Sequence, residues 1–266
     1  MKLTMLGTGN ATVTECYNTC FCFSGRKGHF LVDAGGGNRI LHVLKEADIP
    51  LEEIHDIFLT HKHIDHLLGM IWIIRMAGQK MNQGKYEGEL RIYCHSGLTD
   101  TLKTIAELTI QKKVTKHIGK RIRLIPVQDG ETREIIGCPV TFFDIHSTKA
   151  RQFGFAMLTP EGTKISCCGD EPFDPCEAQY IAGSDWLMHE AFCLYSEADK
   201  FKPYEKHHST VREACELAER LKIPNLLLYH TEESHGSERK ELYLKEGRGF
   251  YHGNLYVPDD LEAFSI

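Results

Sequence analysis

Residues 60–69 read THKHIDHLLG and set His61, His63, Asp65 and His66 in the spacing H-x-H-x-D-H. Alternate residues at an extended strand end point the same way, so His61 and His63 can converge on one ion. Asp65 and His66 then open a helix and can turn toward a second ion. The segment DIFLT before the motif reads as a buried strand, and DHLLGMIWIIRMAG after it repeats apolar residues at helical spacing. Ligand-type side chains crowded into a partly buried turn are costly if left unpaired, and metal coordination removes that cost.

The same alternation of strand and helix extends along the chain. HFLVDA, DIFLT, LRIYC, VTFFDI, KISCC, DWLMH and NLLLYH read as buried strands. NRILHVLKEADI, LTDTLKTIAELT and TVREACELAERLKI read as helices, the last with Thr210 as N-cap and Glu213 at the capping-box position. This pattern implies an α/β architecture with helices covering sheets. Asp33, His61, His146, Asp170, His189, Glu190 and His230 each fall at or just past the end of an expected strand, where such proteins build their sites. His29, His42, His55, His95, His117, His207, His235 and His252 are read as surface or ordinary hydrogen-bonded histidines.

The 266 residues are 42% hydrophobic and 26% charged, and no linker or repeat divides them, which implies one domain over 1–266. Neither a signal-like start nor a membrane-length apolar run is found, so a soluble cytoplasmic protein with no membrane partner is expected. The cysteines then meet a reducing compartment, and Cys20 and Cys22, in the strand-like run TCFCF, read as core residues rather than ligands. A net charge of −6 excludes bulk electrostatic coating of nucleic acid. The one basic run, KKVTKHIGKRIR from Lys112 to Arg123, is either a solvated face or a local footprint.

In order along the chain, LGTGN, LVDAGGG, THKHIDH, FFDIHS, CCGDE and NLLLYHTEE resemble the motifs of the metallo-β-lactamase superfamily. That resemblance implies a four-layer αβ/βα sandwich. It also implies two divalent metal ions, zinc in the first place, with manganese or iron compatible with the same ligands. Carried over residue by residue, His61, His63 and His146 would hold one ion and Asp65, His66 and His230 the other. Asp170 would bridge them, Asp65 counting also among the catalytic groups. Asp33 would orient the ligand loop. Two such ions acidify a shared water and clamp the oxygens of a phosphoryl group, hydroxide being the nucleophile.

Two further segments, DWLMHEAF and EKHHSTVREACELAE, are similar to the HEAT and HST motifs of the ribonuclease Z branch, in its armless form, with Phe192 in place of threonine. The resemblance implies a general acid, His208, held by Glu190, for the poor leaving oxygen of a phosphodiester. Only 24 positions separate His146 from Asp170, room for a strand, a turn and a strand but not for the arm of transfer-RNA-maturing enzymes. The expected function is therefore a dinuclear phosphodiesterase acting on a cyclic nucleotide or an RNA 3′ end, a small or cyclic diester fitting better. The alternative is a carboxyl-ester, thioester or lactone hydrolase. Arg239 and Lys240 are candidate rim cations, and the resemblance also suggests a homodimer.

Overall fold

The computed structural model describes residues Met1–Ile266. Its strands form two seven-stranded sheets. The first runs β14 (Ala263–Ser265), β1 (Lys2–Gly7), β2 (Cys20–Gly25), β3 (Gly28–Val32), β4 (Ile54–Phe58), β5 (Leu90–His95), β6 (Ile122–Val127). β1 to β3 are antiparallel and β3 to β6 parallel. Parallel neighbours need long crossovers, supplied here by α1 (Arg39–Glu46), α2 (Ile64–Asn82) and α3 (Ser96–Thr109).

The second sheet repeats the plan, in the order β13 (Asn254–Tyr256), β12 (Asn225–Tyr229), β11 (Trp186–Glu190), β10 (Lys164–Cys167), β9 (Phe153–Leu158), β8 (Cys138–Asp144), β7 (Thr132–Ile135). β7 to β10 are antiparallel and β10 to β13 parallel, with α5 (Ala178–Ile181), α7 (Val211–Arg220) and α8 (Arg239–Gly247) in the crossovers. Short turns α4 (Lys112–Thr115) and α6 (Ala198–Phe201) complete the helices. The Glu213 carboxylate accepts both the N–H and the hydroxyl of Thr210 at 2.7 and 2.8 Å, closing the first turn of α7.

Period-two alternation makes the layers. In β2, Phe21 and Phe23 point between the sheets, while Cys20 and Cys22 point to the helices over the first sheet. Burial pushes the Cys22 thiol up to about 12, as suits an inert core residue. Phe155 of β9 lies at the centre of the middle layer, with the rings of Phe23, Phe30 and Phe58 at 6.1, 5.9 and 6.0 Å. A third cluster packs α7 and α8 on the second sheet. The result is the four-layer αβ/βα sandwich expected.

Strand direction decides where the site can be. Asp33 follows β3, His61 follows β4, Asp170 follows β10, Glu190 ends β11 and His230 follows β12, so all emerge on one rim. Asp33, His146 and His230 adopt φ of 56°, 56° and 58°, in the left-handed region that costs a residue with a Cβ about 1–2 kcal/mol. Between His146 and Asp170 the chain makes only β9, a turn and β10.

Candidate metal centre

The first turns of α2 are held against the loop that leaves β3. Gly69 donates its N–H to the Gly35 carbonyl at 2.8 Å, and Ala34 donates to the His66 carbonyl at 3.1 Å. A Cβ on Gly69 would stand 1.7 Å from the Ala34 oxygen, so only glycine permits this approach. Asp33, buried beside it, takes the N–H and hydroxyl of Thr60 at 2.9 and 2.8 Å and Nδ1–H of His66 at 2.7 Å. With its hydroxyl donated to Asp33, Thr60 accepts Nδ1–H of His61 at 2.9 Å. One carboxylate therefore orients two imidazoles and turns both Nε2 atoms inward.

Those nitrogens meet carboxylates from both halves of the chain. Oδ2 of Asp170 lies 3.6 Å from His61 Nε2, 3.5 Å from His66 Nε2 and 3.5 Å from His230 Nε2. Oδ2 of Asp65 lies 3.3 Å from His66 Nε2 and 3.4 Å from His230 Nε2. His63 Nδ1 stands 2.8 Å from His61 Nε2. Two donor groups result, one of His61, His66 and Asp170, the other of Asp65, His66 and His230. Within them His66 Nε2 and Asp170 Oδ1 are buried without a hydrogen-bond partner. Orphaned polar atoms on convergent nitrogen and carboxylate ligands fit divalent cations, which satisfy several donors at once.

The charges support this reading. Burial holds His61 well below the usual histidine range, so its lone pair is available as a ligand. For His66 burial opposes the charged form, but Asp65 and Asp33 outweigh it and hold the ring well above that range. An incoming cation must displace this proton. Asp65 and Asp170, though buried, are kept ionised by the histidines around them.

Beside the cluster, Nδ1 of His208 faces Oε2 of Glu190 at 3.6 Å, and the other Glu190 oxygen accepts the Ser209 N–H. Burial works against a charged His208, yet Glu190 raises it above the ordinary value. The ring stacks on Phe192 at 5.1 Å and leans on His230 at 5.2 Å. Phe192, which departs from the HEAT pattern, thus packs the proposed acid in place. His189 donates its Nδ1–H to the Glu190 carbonyl at 2.7 Å and stays outside both donor groups.

Not every expected residue joins. His146 is exposed and grouped with Asp174 and Cys176 instead of His61 and His63. Arg239 and Lys240 are not rim cations: Arg239 is buried on Thr231, Pro258 and Asp259, and Lys240 is paired with Glu262. The basic run lies at the far end of α2, where Lys113 and His117 bond Asn82. Asn82 stands at the other end of the 19-residue α2 from Ile64, about 27 Å away. Arg121 is spent on the Tyr86 and Gly88 carbonyls, and Arg123 lies in β6, an edge strand not expected from the sequence. The cation that bears on the site is Lys149, whose charge acts on both His63 and His208. Among the residues STKARQFG nothing distinguished it, because its approach to Glu171 and the Lys206 carbonyl is purely tertiary.

A family model described as "Anti-Pycsar protein Apyc1" matches residues 1–248. The chain is 25% identical to ribonuclease Z of Anoxybacillus flavithermus, over all of this chain and 97% of that one. The 315 aligned positions exceed the 266 residues here, so the relative carries segments this chain lacks. Among solved structures, the metallo-β-lactamase fold protein YhfI of Bacillus subtilis superposes with a TM-score of 0.80 at 18% identity, over 99% and 98% of the two chains. The short form of human tRNase Z gives 0.75 at 21% identity, over 100% and 99%.

Proposed function

The chain belongs to the anti-Pycsar protein Apyc1 family, a ribonuclease Z-like part of the metallo-β-lactamase superfamily of metal-dependent hydrolases, and from that premise we propose a dinuclear phosphodiesterase acting on a small or cyclic nucleotide. The observation that carries the reading is the His208–Glu190 pair set beside the carboxylate and histidine cluster, since a carboxyl-ester, thioester or lactone hydrolase has no need of it.

Asp65, His66 and His230 would hold one divalent ion and His61 and His63 the other, with Asp170 shared and zinc the first choice. His146 completes the second set only if its side chain turns from Asp174 and Cys176 toward the rim. Bound ions supply acidification of a water and positive charge against the phosphoryl oxygens. The chain's own residues do the rest. Asp33 orients His61 through Thr60 and His66 by its own hydrogen bond. Glu190 faces Nδ1 of His208 at 3.6 Å and favours its imidazolium, leaving Nε2 to deliver its proton to the departing ribose oxygen. Lys149 adds a positive charge on the side of the substrate anion.

The absence of an arm, the net charge of −6 and the distance of the basic run from the rim support a compact substrate over an RNA 3′ end. We read residues 1–266 as a single hydrolase domain, because one core lies between both sheets. A homodimer belongs to the same reading: Ile64 and Trp72 are exposed apolar side chains of α2. No helix is long and apolar enough to cross a membrane, and all ten cysteines are free thiols, which supports a place in the cytoplasm.

The test compares turnover of 2′,3′- and 3′,5′-cyclic nucleotides, a precursor transfer RNA with a 3′ trailer, a lactone and a thioester by the metal-loaded protein. Cyclic-nucleotide opening is expected. Trailer removal alone would move the substrate to RNA, and thioester or lactone turnover alone would sink the phosphodiesterase.

A further inference from the structure

The loop that leaves His230 carries a second set of ligand-type side chains. Glu232 is 5% exposed, and its Oε2 accepts the N–H of Ser234 at 2.6 Å. Its Oε1 is buried with no hydrogen-bond partner. That atom lies 3.9 Å from Nε2 of His235, which in turn lies 2.7 Å from Oε2 of Glu197 on the turn before α6. The three donor atoms fall within 4.8 Å of one another.

A protonated His235 does not account for this arrangement. Nε2 carries a single hydrogen, and at 2.7 Å it is directed to Glu197. Glu232 Oε1, at 3.9 Å, is beyond hydrogen-bond reach and keeps its desolvation cost. Lys200 does not relieve it either, since its Nζ sits 3.7 Å from the other Glu197 oxygen. A cation between the three donors satisfies all of them together. Ligands at about 2.0–2.2 Å around a tetrahedral ion stand about 3.3–3.6 Å apart, and the observed 2.7 and 3.9 Å bracket that spacing. One imidazole nitrogen and two carboxylates suit zinc or manganese better than magnesium or calcium. His235 and Glu197 are each about a fifth to a quarter exposed, which leaves an open side for a water ligand.

We propose that Glu197, Glu232 and His235 form a further binding site for one divalent transition-metal ion, separate from the centre built on Asp65, His66, Asp170 and His230. An ion there joins the segment leading to His208 to the loop that carries His230. The same loop already grips residues 14–16, whose backbone N–H groups converge on Glu233. The site is a clasp on the wall of the rim.

The test is Zn2+ titration with elemental analysis and thermal melting, in an Asp170→Ala background that disables the main centre and in the wild type. In the Asp170→Ala protein one Zn2+ per chain should still bind at Glu232 and raise the melting temperature. Adding Glu232→Gln, or separately His235→Gln should the first fail to fold, should weaken that binding at least tenfold. In the wild-type background the same variants should lose one equivalent while diester hydrolysis continues. Equal stoichiometry and affinity with and without Glu232→Gln would overturn the proposal, whatever the activity of the main centre proves to be.

Discussion

Glu190 holds Ser209 with one carboxylate oxygen and faces His208 Nδ1 at 3.6 Å with the other, so one buried side chain both fixes the loop and charges its histidine. In His208→Ala the metal content should persist while turnover of a diester with a poor leaving group falls roughly 10²–10⁴-fold. Bis(p-nitrophenyl) phosphate, whose leaving group needs no proton, should lose far less. Equal losses on both substrates would assign His208 to binding.

The pH profile tests the same pair. Glu190 raises His208 against the opposing effect of burial, so the protonated acid, and the stability it carries, is complete below the ordinary histidine value and is lost as pH rises through the raised one. Glu190→Gln should move the alkaline limb of kcat/KM to lower pH. A limb that stays in place would show that another group sets it.

Asp170 touches three imidazoles, more than any other carboxylate of the centre. Asp170→Ala should lower the catalytic metal content from about two ions per chain and abolish activity on every substrate. Full activity in this variant would contradict a shared ligand.

Gly69→Ala places a methyl against the Ala34 carbonyl and must push α2 off the loop of Asp33. A stability loss of at least about 1–3 kcal/mol is expected, with weaker metal affinity through displaced His66. Calorimetry and metal titration would read the two effects separately.

Burial pushes the Glu177 carboxyl up to about 8, while its Oε2 has no partner. The folded form therefore holds a proton that the unfolded chain releases near 4.3, and stability falls as pH rises from there through about 8. Glu177→Gln keeps the oxygen that accepts the Asp174 N–H. Its melting temperature should exceed that of the wild type at pH 8 and match it near pH 4. A constant difference across that range would exclude titration of Glu177 as the cause.

The sequence reveals most of what local rules govern. Strand ends, the α2 start and the Thr210–Glu213 cap follow from periodicity and spacing, and they place Asp33, His61, Asp170 and His230 correctly on one rim. What it conceals is tertiary. The strand at residues 122–127, IRLIPV, breaks period-two alternation with Arg123 and Pro126 at an edge, so it reads as basic surface. The buried anchoring of Arg239 depends on the turn at Pro258 and Asp259. The direction of His146 depends on a left-handed backbone that no residue type at that position announces. His235 meets Glu197 across 38 positions, beyond the reach of any motif.

The proposed donors divide between the sheets: His61, His63, Asp65 and His66 come from the first, Asp170 and His230 from the second. An ion taken by both is a cross-link between two halves of the chain, and its strength follows mass action. Each tenfold rise of free ion above its dissociation constant adds about 1.4 kcal/mol to the folded state. Resistance to unfolding is then a gauge of the surrounding ion supply. The same polypeptide would be durable where the ion is plentiful and readily degraded where it is scarce, before any substrate arrives.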